Sequence, residues 1–163
     1  MLHKVQVRPP ARLRRCSLHQ FLPRPIISKN SETHRGVIDV SDEQQIRATI
    51  QTYFDCMYDS SADKTHTAFH PNARITGYLE DGLHEMTVSD FADFVASQQP
   101  SAREKGEPAR LEVLSLDIAG NTAVAKVRDD YLGMTFMDTL SFLKTDSGWS
   151  IYNKLFHVEG PSG

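Results

Sequence analysis

The stretch Thr135-Phe136-Met137-Asp138-Thr139-Leu140-Ser141-Phe142-Leu143-Lys144 decides the fold. A strand sends successive side chains to opposite faces, so Phe136, Asp138, Leu140 and Phe142 share one face and Met137, Thr139, Ser141 and Leu143 the other. An aspartate therefore stands in line with three large apolar groups. With that face turned inward, Asp138 loses hydration, which disfavours its charged form and equips it to donate a proton or a hydrogen bond. The bland alternative is a carboxyl that bonds a neighbouring strand or Asn153 and fixes strand register.

Outward from this stretch the period of two persists. The turn Asp146-Ser147-Gly148 leads into a last strand, Trp149 to Val158, on which Trp149, Ile151, Asn153, Leu155 and His157 are expected on one face. Upstream lie a strand from Thr122 to Tyr131, a turn at Gly120-Asn121, and a strand over Leu111 to Ile118. A parity switch in that strand predicts a bulge near Val113. Pro100 to Pro108 reads as a loop. Before it the spacing is helical: Ser41-Asp42-Glu43-Gln44 is a capping box, and Ile46, Ile50, Tyr53, Phe54, Met57 and Tyr58 follow at intervals of three or four. A short second helix is predicted from Asp63 to Phe69, stopped by Pro71, then an extended run from Ala73 to Leu79. A third helix is expected from Ser89, carrying Phe91, Phe94 and Val95. Helices followed by consecutive short-turned strands give an α+β class, about three N-terminal helices on one face of a strongly curved antiparallel sheet.

The chain has 163 residues and 39% hydrophobic composition, enough for one domain with a real core. No apolar run approaches the roughly 20 residues of a membrane helix, which argues against a membrane span. Cys16 and Cys56 stand far apart without CxxC spacing, so a reducing, cytoplasmic setting is expected. The net charge of -3 conceals a division: residues 1–36 hold eight Lys or Arg against Glu32, a net of +7, while residues 37–163 carry a net of -10. The basic stretch also holds Pro9, Pro10, Pro23 and Pro25. It reads as an appendage: a transit peptide, a nucleic-acid arm, or a translation start placed too far upstream. The last is favoured, with Val37 as the alternative initiator. Residues 37–163 then form a single domain. Its acidity and the lack of clustered aromatics in the basic arm argue against a nucleic-acid partner.

Other residues carry weaker chemical signals. Tyr53 and Tyr58 each pair an apolar ring with a hydroxyl that needs a partner. Asn153 and His157 would orient a ligand in an apolar cavity, or else be a satisfied amide and a terminal histidine. His66 and His70 have i,i+4 spacing, but no HExxH motif is present and Pro71 ends the helix, so no metal is expected. GxGxxG, Walker and GxSxG motifs are missing from the sequence, and no cofactor is expected. Cys56, without an adjacent base, reads as an inert core thiol.

Taken together, Tyr53-Phe54, Phe69-His70-Pro71-Asn72-Ala73, the strand Phe136-x-Asp138-x-Leu140-x-Phe142-x-Lys144, and Gly148-Trp149-x-Ile151-x-Asn153-Lys154-x-Phe156-His157 resemble the nuclear transport factor two-like superfamily, and within it the putative lumazine-binding family. The resemblance spans about Asp39 to Glu159. It implies a cystatin-like cone of helices on a curved sheet, an internal pocket, and a homodimer formed through the sheets. Ketosteroid isomerases, of the same superfamily, polarise a carbonyl with a helix-one tyrosine and a protonated strand aspartate. That comparison implies Tyr53 and Asp138 as the two donors, but Gly77 stands where the enzyme has its basic carboxylate. The expected function is a small-molecule-binding domain for an aromatic or carbonyl-containing ligand. Tyr53 and Asp138 are its polar centre, and Phe54, Tyr58, Phe136, Trp149 and Asn153 contact the ligand. The alternatives are a cofactor-independent isomerase or dehydratase of proton-transfer type, and a homodimeric interaction module.

Overall fold

Ser41 opens the part of the chain, residues 41–163, that the computed structural model describes. The expectations for residues 1–36 and for Val37 fall outside the described residues. Ser41 accepts from Gln44 N at 3.3 Å while Gln44 Oε1 accepts from Ser41 N at 3.1 Å, so the capping box forms as read and starts α1, Asp42–Tyr58. Its apolar stripe is buried from Ile46 to Met57, with Tyr53 and Cys56 fully enclosed. Ser61 caps α2, Ala62–Ala68. The third helix, α3 (Val88–Ala96), is capped by Thr87 rather than Ser89, because Thr87 and Asp90 form a second reciprocal box. Within the expected loop, Ser101 and Glu104 cap one further turn, α4, Ala102–Lys105.

The strands are β1 (Phe69–Leu79), β2 (Gly82–Thr87), β3 (Leu111–Ala119), β4 (Thr122–Tyr131), β5 (Met134–Thr145) and β6 (Gly148–Pro161). They form one open sheet in the order β2-β1-β6-β5-β4-β3. The sheet is mixed, antiparallel except at one contact. β3 to β6 run as an antiparallel meander, but β6 then lies beside β1 in parallel, with Ile75 opposite Lys154 and Gly77 opposite Phe156. The chain leaves the β1–β2 hairpin through α3 and α4 before the meander starts, so the two halves of the sheet meet only when β6 returns. β2 itself was not anticipated. Its short run Gly82–Thr87 includes His84 and Glu85 and lacks a dominant apolar alternation.

Bulges bend this sheet and set which side chains face the helices. Leu114 is the extra residue between the pairs Val113–Val127 and Ser115–Lys126, where the parity switch placed it. A bulge in β6 was not foreseen: Phe142 pairs with Ile151 but Ser141 with Asn153, leaving Tyr152 over. Trp149 and Ile151 therefore point inward, yet beyond Tyr152 the parity inverts. Asn153, Leu155 and His157 do not share the face of Trp149 and Ile151 as expected; Lys154 and Phe156 turn inward instead.

Gly77 is buried on β1 beside Phe156, and a Cβ there would lie 2.5 Å from both the ring and the carbonyl oxygen of Phe156. Rotating the ring relieves only one of these clashes. Gly77→Ala is therefore expected to cost about 1–3 kcal/mol, read as a lower urea midpoint. An unchanged midpoint would show that β1 and β6 separate without cost.

Candidate functional site

Asp138 sits mid-β5 on the face toward the helices and is 0% exposed. The stripe of α1 brings Tyr53, also 0% exposed, onto it, and Tyr53 OH donates to Asp138 Oδ2 at 2.6 Å. The inverted parity of β6 then delivers Lys154. Its Nζ donates to the same Oδ2 at 2.9 Å and also to Tyr53 OH. One ammonium, one phenol and one carboxylate thus form a closed triangle in the core. The ammonium lies 4.8 Å from the Tyr53 ring centre and within 5.9 Å of those of Phe91, Phe136 and Phe156. Burial above all, with the Asp138 carboxylate beside it, pushes Tyr53 well above its ordinary value of 10.0, so it remains a neutral donor.

Asp129 is the second buried acid of the site. It follows Ala123, Ala125 and Val127 on the inward face of β4, is 1% exposed, and neither carboxyl oxygen has a hydrogen-bond partner. Burial raises its pKa well above 3.8; Lys154 opposes the shift, while the nearby charge of Asp138 reinforces it. A protonated Asp129 carries the O–H donor that a carboxylate lacks. The floor of the site therefore holds one positive charge, one negative charge and one neutral acid.

This floor opens on a cavity of about 380 Å3 walled by Phe91 and Phe94 of α3, Ile75 of β1, Met86 of β2, Phe136 and Phe156, with Lys154, Asp129, Tyr131 and His84 as its polar groups. The size and apolar character suit a small-molecule site. Of the residues expected to contact a ligand, Phe136 lines this cavity. Tyr53 and Asp138 lie behind Lys154, in contact with its ammonium. Phe54 and Tyr58 line a smaller neighbouring hollow of about 70 Å3, where Tyr58 OH donates to Glu107 O at 2.8 Å. Trp149 donates from Nε1 to Asp42 Oδ1 at 2.9 Å and ties the start of α1 to β6, away from the cavity lining. Asn153 lies on the other face of β6 for the reason given above.

His66 ends on α2 and His70 on β1, so the two imidazoles do not share one helix face. Among the described residues no group of three or more His, Cys, Asp or Glu side chains could hold a metal ion. Burial pushes the Cys56 thiol up to about 11, which keeps it protonated. No helix among the described residues is long and apolar enough to cross a membrane.

The helices on a bent, open six-stranded sheet, with a pocket between them, define a nuclear transport factor 2-like protein of cystatin-like fold. A solved NTF2-like protein of unknown function from Methylobacillus flagellatus KT matches 76% of this chain and 97% of its own at 27% identity and a TM-score of 0.66. A solved domain of unknown function with a cystatin-like fold from Nostoc punctiforme PCC 73102 matches 71% and 75% at 19% identity and a TM-score of 0.58. Within that class the chain belongs to the putative lumazine-binding family, whose profile matches residues 41–157. The aldolase FrzH of Cladobotryum sp is 25% identical over 120 residues, 74% of this chain and 94% of that protein.

Two site residues escaped sequence reasoning for different reasons. Asp129 extends the apolar parity of Ala123, Ala125 and Val127 just as Asp138 extends its own, so the same alternation argument flags it. Lys154 follows only once the bulge at Tyr152 is known. The raised pKa of Asp129 has a thermodynamic consequence. Between 3.8 and the higher folded value, the native state binds more protons than the unfolded chain. Stability is therefore fully present below 3.8 and falls as pH rises through that window. Asp129→Asn is expected to flatten this decline, measured by urea unfolding from about pH 4 to pH 7. A variant with the same slope as the parent would assign the decline to another group.

Proposed function

We propose that the chain binds a compact, largely apolar small molecule in the cavity between α3 and the sheet, with a ligand carbonyl or enolic oxygen held by Lys154 and Asp129. One observation carries this reading. The wall is apolar except where a buried ammonium and an unpartnered, protonated carboxyl sit together. Lys154 spends two of its three N–H donors on Tyr53 and Asp138, and the third remains for a ligand. Tyr53 and Asp138 then act through Lys154, fixing its position and compensating its charge, and Phe136 supplies part of the apolar wall. Lumazine, a fused ring with two carbonyl groups, is the first probe because the family description names it. Bicyclic aryl ketones are the second. Titration calorimetry is expected to give a Kd that rises tenfold or more in Lys154→Met and less in Tyr53→Phe. Should Lys154→Met unfold, Asp129→Asn gives the same readout with only the carboxyl changed. Equal affinities in all variants would overturn the reading.

A second reading is a proton-transfer enzyme acting on a carbonyl compound, an isomerase, dehydratase or aldol catalyst. The protonated Asp129 beside Lys154 favours it, since the two donors converge where a carbonyl oxygen gains charge during enolisation. The likeness to a protein called an aldolase points the same way.

The face of the sheet away from the cavity exposes Val124, Tyr152 and Leu155. A second copy of the chain is the proposed cover, joined sheet to sheet. Light scattering is expected to give a dimer mass that Val124→Lys reduces to the monomer; a monomer at high protein concentration would remove the proposal.

A further inference from the structure

We infer that His84, oriented by Asp81, is the proton acceptor of this cavity, so that the site enolises a neutral ketone or aldehyde whose carbonyl oxygen rests on Lys154 and Asp129. The inference deepens the proton-transfer reading above and rests on it.

Three observations place His84 in that role. It lines the cavity from β2, the edge strand, whereas Lys154 and Asp129 line it from β6 and β4. The pairings His84–Gly77, Gly77–Phe156 and Phe156–Asp138 lie on one continuous line across four strands. With strands about 4.8 Å apart, three spacings put roughly 14 Å between the backbones of His84 and Asp138. The ring of Phe156 lies on this line beside Gly77, and the ligand is placed against that ring between His84 and Lys154. Gly77, in the middle of that line, contributes no side chain.

The imidazole is also chemically prepared. His84 Nε2 lies 2.6 Å from Asp81 Oδ1 in the β1–β2 turn, and this hydrogen bond holds the Asp81 carboxyl below its ordinary value. A carboxylate only accepts, so Nε2 carries the proton and the lone pair of the neutral ring belongs to Nδ1. The other polar groups of the described cavity wall are less suited to accept a proton. Asp129 already holds one, burial raises Tyr131 so that it keeps its own, and Lys154 is engaged as a donor to Tyr53 and Asp138. Imidazole is the usual group for taking and returning a proton near neutral pH.

The step balances without any added reagent. The C–H bond next to the carbonyl breaks, its proton passes to His84 Nδ1, and its electron pair moves through the new C=C bond onto the carbonyl oxygen. Hydrogen bonds from Lys154 Nζ and the Asp129 hydroxyl hold that oxygen. Return of the proton to the same carbon restores the ketone, and return to a different carbon isomerises it.

Indanone and tetralone in D2O, followed by proton NMR with the full-length chain, test this directly. The wild type is expected to speed deuterium entry at the carbon beside the carbonyl. His84→Gln is expected to slow it by about 100-fold or more while leaving the Kd within about twofold. His84 is partly exposed, so the substitution leaves the core intact. Ketone binding without wild-type exchange, or equal exchange in His84→Gln, would overturn the inference and leave the binding reading standing. If neither ketone binds, the carbonyl-binding reading and this inference fall together.

Discussion

A lysine ammonium buried among aromatic rings is tolerable only because Asp138 neutralises it and Tyr53 completes its hydrogen bonds. Removing an ion from water costs several kcal/mol even after relaxation, so an unpaired Lys154 at this depth would neutralise, swing out or unfold the region. The surrounding architecture serves that pairing. α1 must seat Tyr53 on the sheet, β5 must place Asp138 inward, and β6 must reverse its parity at Tyr152 so that Lys154 meets both. Three elements far apart in sequence converge on one carboxylate oxygen, Asp138 Oδ2, which accepts from both partners.

The cavity beside this pairing is walled by several separate elements. Helix α3 contributes Phe91 to the wall, the β1–β2 hairpin contributes Ile75, His84 and Met86, and the ring of Phe156 lies over Gly77. Phe156 passes close to Gly77, at a distance no Cβ would allow. The glycine is thus a geometric requirement of the wall, a role distinct from the positive-φ turn glycines such as Gly120.

Elements whose signals are local were legible in the sequence. The capping box at Ser41, the Thr122–Tyr131 strand and the bulge beside Val113 each follow from neighbouring residues alone. What escaped was non-local. The parallel contact of β1 with β6 depends on which strand returns to the centre of the sheet. The bulge at Tyr152 depends on pairing with β5, and one unseen residue there moved Asn153 out and Lys154 in. Aromatic residues were read as ligand contacts from their size, yet Trp149 serves as a clasp for the start of α1 and Tyr58 as a prop for the segment at Glu107. Periodicity put Tyr53 and Asp138 each on an inward stripe, but their pairing was implied only by the resemblance to ketosteroid isomerases, and Asp129 escaped because β4 was not read by the same rule.

The charge balance of the floor constrains what enters. Lys154 and Asp138 cancel, and Asp129 is neutral because burial and Asp138 keep it so. A neutral ligand joins this arrangement without leaving an uncompensated charge in an apolar space, whereas a cation would face an ammonium at close range. A carbonyl oxygen gains negative charge as a neighbouring C–H bond breaks, and the donors already aimed at it strengthen as that charge grows. Fixed donors in a low-dielectric wall gain more from that change than they gain from the resting ketone. On the proposed proton-transfer reading, a floor that is electrically balanced at rest is matched to charge that appears only during reaction.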